Sequence, residues 1–245
     1  MNILIFDIES SPNLGYAWGK YEQNILGYVR ESYMLCYAYK WYCESETKVV
    51  ALPDFSSYKR DKANDKALVK SLWDLFNMAD VIIAHNGDKF DIKYSNGRFL
   101  VHGLTPPTTY KTVDTLKVAR SKFKLNSNSL NDLGKILNVG KKVETGGFDL
   151  WLDCMAGRKD AWERMKEYNK QDVDLLTLVY EKLRPWVKNH PNIAEGGINT
   201  CPHCQGHKIW KIGADKFSTK QRWRCQGCGA NLYSSIKNEN NLKSS

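Results

Sequence analysis

"NILIFDIES", residues 2–10, reads as a buried strand that carries two carboxylates, Asp7 and Glu9. Side chains on a strand alternate faces, so residues two apart point the same way. Leu4, Phe6 and Ile8 share one face, while Ile3, Ile5, Asp7 and Glu9 share the other. The two acids then lie roughly 6–7 Å apart along the strand's end. Like charges that close raise each other's pKa and cost stability. Either the strand ends in solvent, or something cationic holds both acids, or one of them stays protonated. A divalent cation is the sharper alternative, because hard metals prefer oxygen ligands. Further acids elsewhere in the chain decide among these.

Working outward, "SSPNLG" (10–15) is turn-rich, and "MLCYAYKWY" (34–42) and "TKVVAL" (47–52) alternate as strands do. Residues 65–78 place Leu68, Leu72, Leu75 and Phe76 at helical spacing, with Asp65 as the expected N-cap. "VIIA" (81–84) is a short buried strand, a helix is expected from about Phe90, and "TYKTVDTL" (109–116) supplies a fifth strand. "SLNDLGKILNVG" (129–140) opens on a capping box at Ser129 and Asp132 and stops at Gly140. Residues 160–183 are strongly helical, as one helix or two, and Pro185 closes them. Hairpin strands followed by alternating strands and helices predict an α/β fold, a mixed sheet flanked by helices.

At 245 residues the chain can hold one good-sized core and something small. A content of 42% hydrophobic and 12% aromatic residues excludes a mainly disordered chain. The formal charge of +9 permits a polyanionic partner. The start lacks a basic leader, so no signal peptide is expected. No apolar run approaches the ~20 residues of a membrane helix. A cytoplasmic protein without a membrane partner is the expectation. Seven cysteines, an odd number, argue against a disulfide framework. Cys36, Cys43 and Cys154 are expected to be small core hydrophobes.

More acids stand in places that should be buried. "AHNGDKFDIKY" (84–94) joins a strand end to a helix start, where active sites of open α/β sheets form. Asp91 falls in the first turn of that helix, where a carboxylate is also favoured as a capping acid. Asp88 is a weaker candidate, in a turn. Further on, Met165, Tyr168, Asp172, Leu175, Leu176 and Val179 form one helical stripe, with Asp172 in its middle. A buried carboxylate needs a partner. A Tyr168–Asp172 hydrogen bond could serve, but would not explain the acids of the first strand. Asp174 lies on the opposite face and is expected to be solvated. Asp7, Glu9, Asp91 and Asp172 together require about two divalent cations, and metals roughly 3.5–4 Å apart suit in-line displacement at phosphorus.

"FDIES", "NGDKFD" and "YNKQD" resemble the three exonuclease motifs of the DEDD superfamily: Asp-x-Glu, Asn-x3-Phe-Asp and Tyr-x3-Asp. The tyrosine of the third motif resembles the tyrosine subclass of these 3′–5′ exonucleases. That subclass includes the proofreading domains of family B DNA polymerases and ribonuclease D. The resemblance covers roughly residues 1–185. It implies a ribonuclease-H-like, mixed five-stranded sheet and a two-metal mechanism with magnesium or manganese. It implies that Asp7, Glu9 and Asp172 hold the metal that binds the attacking water. Asp7 would also bridge to a second metal, supported by Asp91. Tyr168 would orient the water, and Asn86 and Phe90 would contact the terminal nucleotides. Tyr94 fits the extended second motif of the polymerases. With no polymerase domain and none of ribonuclease D's extra helical domains in these residues, a free-standing nuclease acting on single-stranded DNA or RNA is expected. An endonuclease of the same fold and a non-catalytic nucleic-acid-binding module are the alternatives.

The C-terminal region carries Cys201-x2-Cys204 and Cys225-x2-Cys228 with 20 residues between the pairs. Two such knuckles are a structural zinc signature. Gly206 and Gly229 are expected to permit the tight turns, and "KIWKIG" and "QRWRC" read as short strands of a zinc ribbon holding one zinc ion. His203 and His207 are left out of the ligand set, because four thiolates suffice. Residues 201–236 carry a net charge of +5, interleaved with Trp210, Phe217, Trp223 and Tyr233. That mix suits single-stranded nucleic acid, with a protein partner as the other option. The expected organisation is a nuclease domain (1–187), a linker (188–200), the ribbon (201–236) and a frayed polar tail (237–245).

Overall fold

The computed structural model describes residues 1–21, 24–143, 146–188, 190–191, 200–214, 220–235 and 238–244. Most of the expected linker, as well as Asp215, Lys216 and Phe217, lies outside the described residues. Strand β1 (Ile3–Ser10) is followed by a small hairpin of β2 (Leu14–Tyr16) and β3 (Gly27–Arg30). Next come β4 (Met34–Trp41), β5 (Lys48–Ala51), α1 (Lys66–Met78), β6 (Val81–Ala84), α2 (Asp91–Val101) and β7 (Lys111–Asp114). Four helices follow: α3 (Thr115–Lys122), α4 (Leu130–Ile136), α5 (Asp149–Ala156) and α6 (Lys159–Leu183). The C-terminal strands are β8 (Ile209–Ala214), β9 (Lys220–Cys225), β10 (Asn231–Ser235) and β11 (Asn238–Ser244). Among the described residues, no helix is long and apolar enough to cross a membrane.

The central sheet has five strands in the order β5-β4-β1-β6-β7. β1 pairs antiparallel with β4 and parallel with β6, so the sheet is mixed and β1 lies at its centre. The alternation of β1 divides the core. Leu4, Phe6 and Ile8 pack with Leu68, Leu72 and Phe76 of α1 on one face. Ile3 and Ile5 pack with Leu130 and Leu133 of α4 and Val173, Leu176 and Val179 of α6 on the other. Phe6 is fully buried and meets Phe76 edge-on, with ring centroids 5.1 Å apart. Its truncation to alanine would cost about 3–5 kcal/mol.

Helix α6 is one continuous helix of 25 residues. Met165 belongs to the first core cluster and Val173 to the second, so the helix changes face of the sheet between them. Tyr168 and Asp172 lie in that crossing stretch, beside the end of β1. A register shift between Glu9 and Ser10 breaks the β1–β4 ladder at the same point. Bulges of this kind re-aim side chains next to functional sites.

Three local expectations change. Asp65 precedes α1 but does not cap it with its side chain. Its buried carboxylate instead accepts from Met34 N at 2.8 Å and from Arg98 Nε and an Arg98 terminal nitrogen at 2.8 and 2.6 Å, and lies 2.7 Å from His102 Nε2. A long-range ion pair outcompetes a local cap, because a buried acid needs charge as well as hydrogen bonds. Asp174 is not simply solvated: it accepts from Thr47 Oγ1 and ties α6 to the start of β5. Cys36 and Cys154 are buried core residues, whereas Cys43 is exposed.

The C-terminal sheet has four strands in the order β11-β10-β9-β8. Residues 238–244, expected as a frayed tail, pair antiparallel with β10 as its outer neighbour. Their polar sequence carries no alternation. The unpaired backbone groups of an edge strand are themselves a template for pairing.

Candidate active site and metal centres

Ligand oxygens of Asp7, Glu9 and Asp172 lie within 4.8 Å of one another. β1 brings the first two to its end, and α6 brings the third across it. Asp172 is 2% exposed, although it sits on a polar-rich helix. Asp91 is buried in the first turn of α2, and one of its oxygens accepts from Ile8 N at 3.4 Å. It therefore adjoins the cluster along β1 without sharing the 4.8 Å set.

Neutral donors hold Asp7 and Glu9 in place, and a charged one holds Asp172. Asn169 Nδ2 donates to Asp7 Oδ2 at 2.8 Å, and Trp151 Nε1 donates to Glu9 Oε2 at 3.2 Å. Lys142 Nζ donates to Asp172 Oδ2 at 2.6 Å and to the Tyr168 hydroxyl at 3.3 Å. The Tyr168 ring meets that of Trp151 with centroids 6.1 Å apart. Sequence reasoning missed Asn169, Trp151 and Lys142. Asn169 lies within the Tyr-x3-Asp motif and is fully buried, a signal that was legible. Lys142 lies in an aperiodic stretch after Gly140 and offered none.

The charge balance is unfavourable without cations. Burial pushes the Asp7 carboxyl well above the usual range, and Asp91, Glu9 and Asp172 push it further. Burial and then Asp172 raise Glu9 to about 8. Burial raises Asp91 to about 6 and also raises Asp172, which Lys142 partly offsets. One lysine cannot neutralise four acids. Moreover, Asp172 Oδ1 is buried and has no hydrogen-bond partner. An orphaned carboxylate oxygen among acids that resist ionisation fits the hard oxygen donor set of a divalent cation.

The second motif is arranged differently. Asn86 has a positive φ of 66°, and its backbone N–H donates to Asp114 Oδ1 at 2.9 Å. Asp114 is the buried N-cap of α3 and also accepts from Leu116 N and Lys117 N, so it fixes the loop after β6. Gly87 is required there, since a Cβ would lie 2.4 Å from Ala84 Cβ. Phe90 is exposed, with its ring 5.9 Å from that of Tyr94, and the Tyr94 hydroxyl bonds to Ser32 Oγ at 2.8 Å. Asp88 is drawn away into an ion pair with Lys117 at 2.6 Å.

The four C-terminal cysteines converge as the spacing predicts. Cys201 and Cys228 sulfurs are 3.7 Å apart, and those of Cys204 and Cys225 are 3.6 Å apart. A tetrahedral shell with 2.3 Å zinc–sulfur bonds has edges of about 3.8 Å, so the quartet fits a zinc ion. Gly229 takes the expected left-handed turn, φ 75°, but in the first knuckle Gln205, φ 59°, takes it rather than Gly206. His203 is no ligand: its Nδ1 donates to Arg184 O at 2.9 Å and joins the ribbon to the end of α6. The His203 ring lies 5.3 Å from that of His190, whose Nε2 accepts from the Tyr180 hydroxyl at 2.7 Å.

A model of the RNase H superfamily matches residues 23–184. The chain belongs to that superfamily. The match includes Asp91, Tyr168 and Asp172 and begins after the Asp7–Glu9 strand. An RNase H-like fold supports a nuclease or related hydrolase and suggests divalent metals and a nucleic-acid ligand. Among solved structures, the chain is similar to the family B DNA polymerase of the hyperthermophilic archaeon Pyrobaculum calidifontis, with a TM-score of 0.53 and 18% identity. The similarity covers 75% of this chain and 24% of the polymerase, so the chain spans about a quarter of that protein. At this identity the likeness is one of fold. No curated protein matches the chain.

Proposed function

We propose that this RNase H superfamily member is a metal-dependent 3′–5′ exonuclease that hydrolyses phosphodiester bonds of single-stranded DNA or RNA. The observation that carries the reading is the convergence of Asp7, Glu9 and Asp172 within 4.8 Å, with Asp172 Oδ1 unpartnered, at the end of the central strand. Asp7, Glu9 and Asp172 would bind divalent magnesium or manganese, with Asp91 in support. Two such ions, when bound, activate water and stabilise the leaving oxygen of an in-line displacement. Trp151 and Asn169 keep Glu9 and Asp7 aimed into the cluster through their hydrogen bonds. The Tyr168 hydroxyl, raised well above its ordinary pKa by burial and then by Asp172, remains a neutral phenol that can orient a water. Lys142 supplies positive charge beside it. Asn86 and Phe90, at the mouth of the second motif, are assigned to the terminal nucleotides.

The proposal extends to the C-terminal sheet, read as a zinc ribbon that binds nucleic acid. Its basic residues Lys208, Lys220, Arg222 and Arg224 accompany an exposed Trp210. The test is digestion of matched single-stranded and duplex DNA and RNA, labelled at the 5′ end, in manganese. A descending ladder that starts at full length supports the exonuclease. Internal cuts would assign an endonuclease, and intact substrate would leave a binding module.

A further inference from the structure

The β2–β3 hairpin leaves the sheet directly after the Asp7–Glu9 strand and carries a concentration of exposed aromatic side chains. Tyr16 is 68% exposed, Trp18 87%, Tyr21 88% and Tyr28 58%. A two-stranded ribbon is marginal on its own in water, so its root must be held. Ser11 N donates to Tyr33 O at 2.9 Å, Tyr33 N donates to Ser11 Oγ at 3.0 Å, and Ser32 N donates to Asn13 Oδ1 at 2.7 Å. Ser32 Oγ also meets the Tyr94 hydroxyl at 2.8 Å. The root is thus locked to the second acidic motif.

The register makes the rings accessible. Tyr16 faces Gly27 across the ladder, and Tyr28 faces Gly15. Gly27 and Tyr28 are neighbours on one strand, so the two tyrosines project from opposite faces of the ribbon. A Cβ on Gly27 would meet nothing within 4 Å, which leaves open space beside Tyr16. Gly15, by contrast, is needed for packing: a Cβ there would lie 2.4 Å from Ile25 Cγ2. Glycine therefore serves both to close the ribbon and to bare its aromatics.

A cavity adjoins the root of this hairpin. Ser10, Ser11 and Pro12 at its root line a cavity of about 480 Å³ with Gly147, Phe148 and Trp151. Trp151 is the residue that donates to Glu9. Phe148, at the other wall, is exposed. The cavity thus reaches from the hairpin's root to the tryptophan that holds Glu9. From Leu14 to Arg30 the sequence carries Lys20 and Arg30 against Glu22, a net charge of +1, and Glu22 lies outside the described residues.

We propose that the β2–β3 hairpin is a base-stacking arm for the single strand that leads to the acidic cluster. The inference rests on the nuclease reading for its direction. Exposed aromatic faces stack on any base, and basic neighbours follow the phosphates. A second copy of the chain would be a poorer occupant. A protein interface needs one contiguous face, whereas Tyr16 and Tyr28 lie on opposite ones.

The test is binding of fluorescein-labelled oligothymidylate and oligouridylate of about 12 nucleotides, a span within common single-strand site sizes. Calcium replaces the catalytic metal to limit cleavage, and anisotropy reports affinity of the full chain. Tyr16→Ala with Trp18→Ala should weaken binding at least about 10-fold. Tyr16→Phe with Trp18→Phe should retain most of the affinity, since it keeps aromatic faces. Wild-type affinity in the alanine pair would overturn the proposal, as would an equal loss in the phenylalanine pair. Sedimentation provides the other outcome. Conversion of a dimer to a monomer by the alanine pair, at unchanged affinity, would assign the hairpin to self-association instead. Cleavage by the wild type in manganese is measured separately. Its absence, with hairpin-dependent binding intact, would sink the nuclease reading and leave the arm.

Discussion

Replacing Lys142 with methionine removes the ammonium and keeps most of the alkyl stem. In the fold, Lys142 Nζ lies 2.6 Å from Asp172 Oδ2; the Asp172 side chain is 2% exposed and that of Lys142 is 32% exposed. Unit charges about 4 Å apart interact by about 1 kcal/mol in water and about 4 kcal/mol near a protein surface. A buried acid paired with a partly solvated lysine falls between these, at about 2 kcal/mol after allowance for screening. For a chain of this size, 1 kcal/mol corresponds to about 2–4 °C. The Tm of Lys142→Met in chelator should therefore fall by about 4–8 °C. Added manganese should narrow the gap between variant and wild type, because the ions then supply the missing charge. Differential scanning calorimetry with chelator and with manganese gives both quantities. An unchanged Tm in chelator would refute the ion pair, and an equal gap in both conditions would refute the link between Lys142 and a metal site.

Tyr168→Phe should keep metal affinity while lowering turnover less than loss of a carboxylate does, as titration calorimetry and initial rates will show; equal losses of metal affinity in Tyr168→Phe and Asp172→Asn would contradict the separate roles. Glu9 titrates at about 8 in the fold against an ordinary 4.5, so the folded state holds a proton that the unfolded chain gives up. Metal-free stability should therefore fall as pH rises from 4.5 to about 8, while the rise in Tm on adding manganese should grow over the same range; a metal effect independent of pH would count against Glu9 as a ligand. One zinc per chain should be found by elemental analysis and lost with any of Cys201→Ser, Cys204→Ser, Cys225→Ser or Cys228→Ser. Burial holds His190 at about 4 against 6.5, so its stabilisation of the ribbon junction should be present above pH 6.5 and decline toward pH 4, by up to about 1.4 kcal/mol per pH unit; limited proteolysis between residues 188 and 200 that is insensitive to pH would oppose this.

The parts of the molecule that read clearly from sequence are those whose periodicity is enforced by burial. β1 is a near-continuous apolar run because both faces of the central strand are covered, and its acids stand out against that run. The stripe on α6 placed Asp172 inside for the same reason. The cysteine pairs were legible through spacing alone. The β2–β3 hairpin was not, because a ribbon exposed on both faces has no apolar alternation to display. Helices α3 and α5 have eight residues each and present only a short apolar stripe. Asp65 matched a local capping pattern but answers to Arg98 and His102, some 33 and 37 residues away in sequence. Lys142 and Trp151 act on the acids through tertiary contact, and no local pattern announces either.

The central claim is that Asp7, Glu9 and Asp172 hold the metals on which phosphodiester hydrolysis depends. It is tested most directly by the initial rate of mononucleotide release from a single-stranded oligonucleotide against manganese concentration, for wild type and Asp172→Asn. The account predicts no release in chelator, a rise with metal steeper than first order, and a rate at least ~100-fold lower in the folded variant, the loss of several kcal/mol of transition-state stabilisation. Equal rates in the two proteins, or release that persists in chelator, would contradict it.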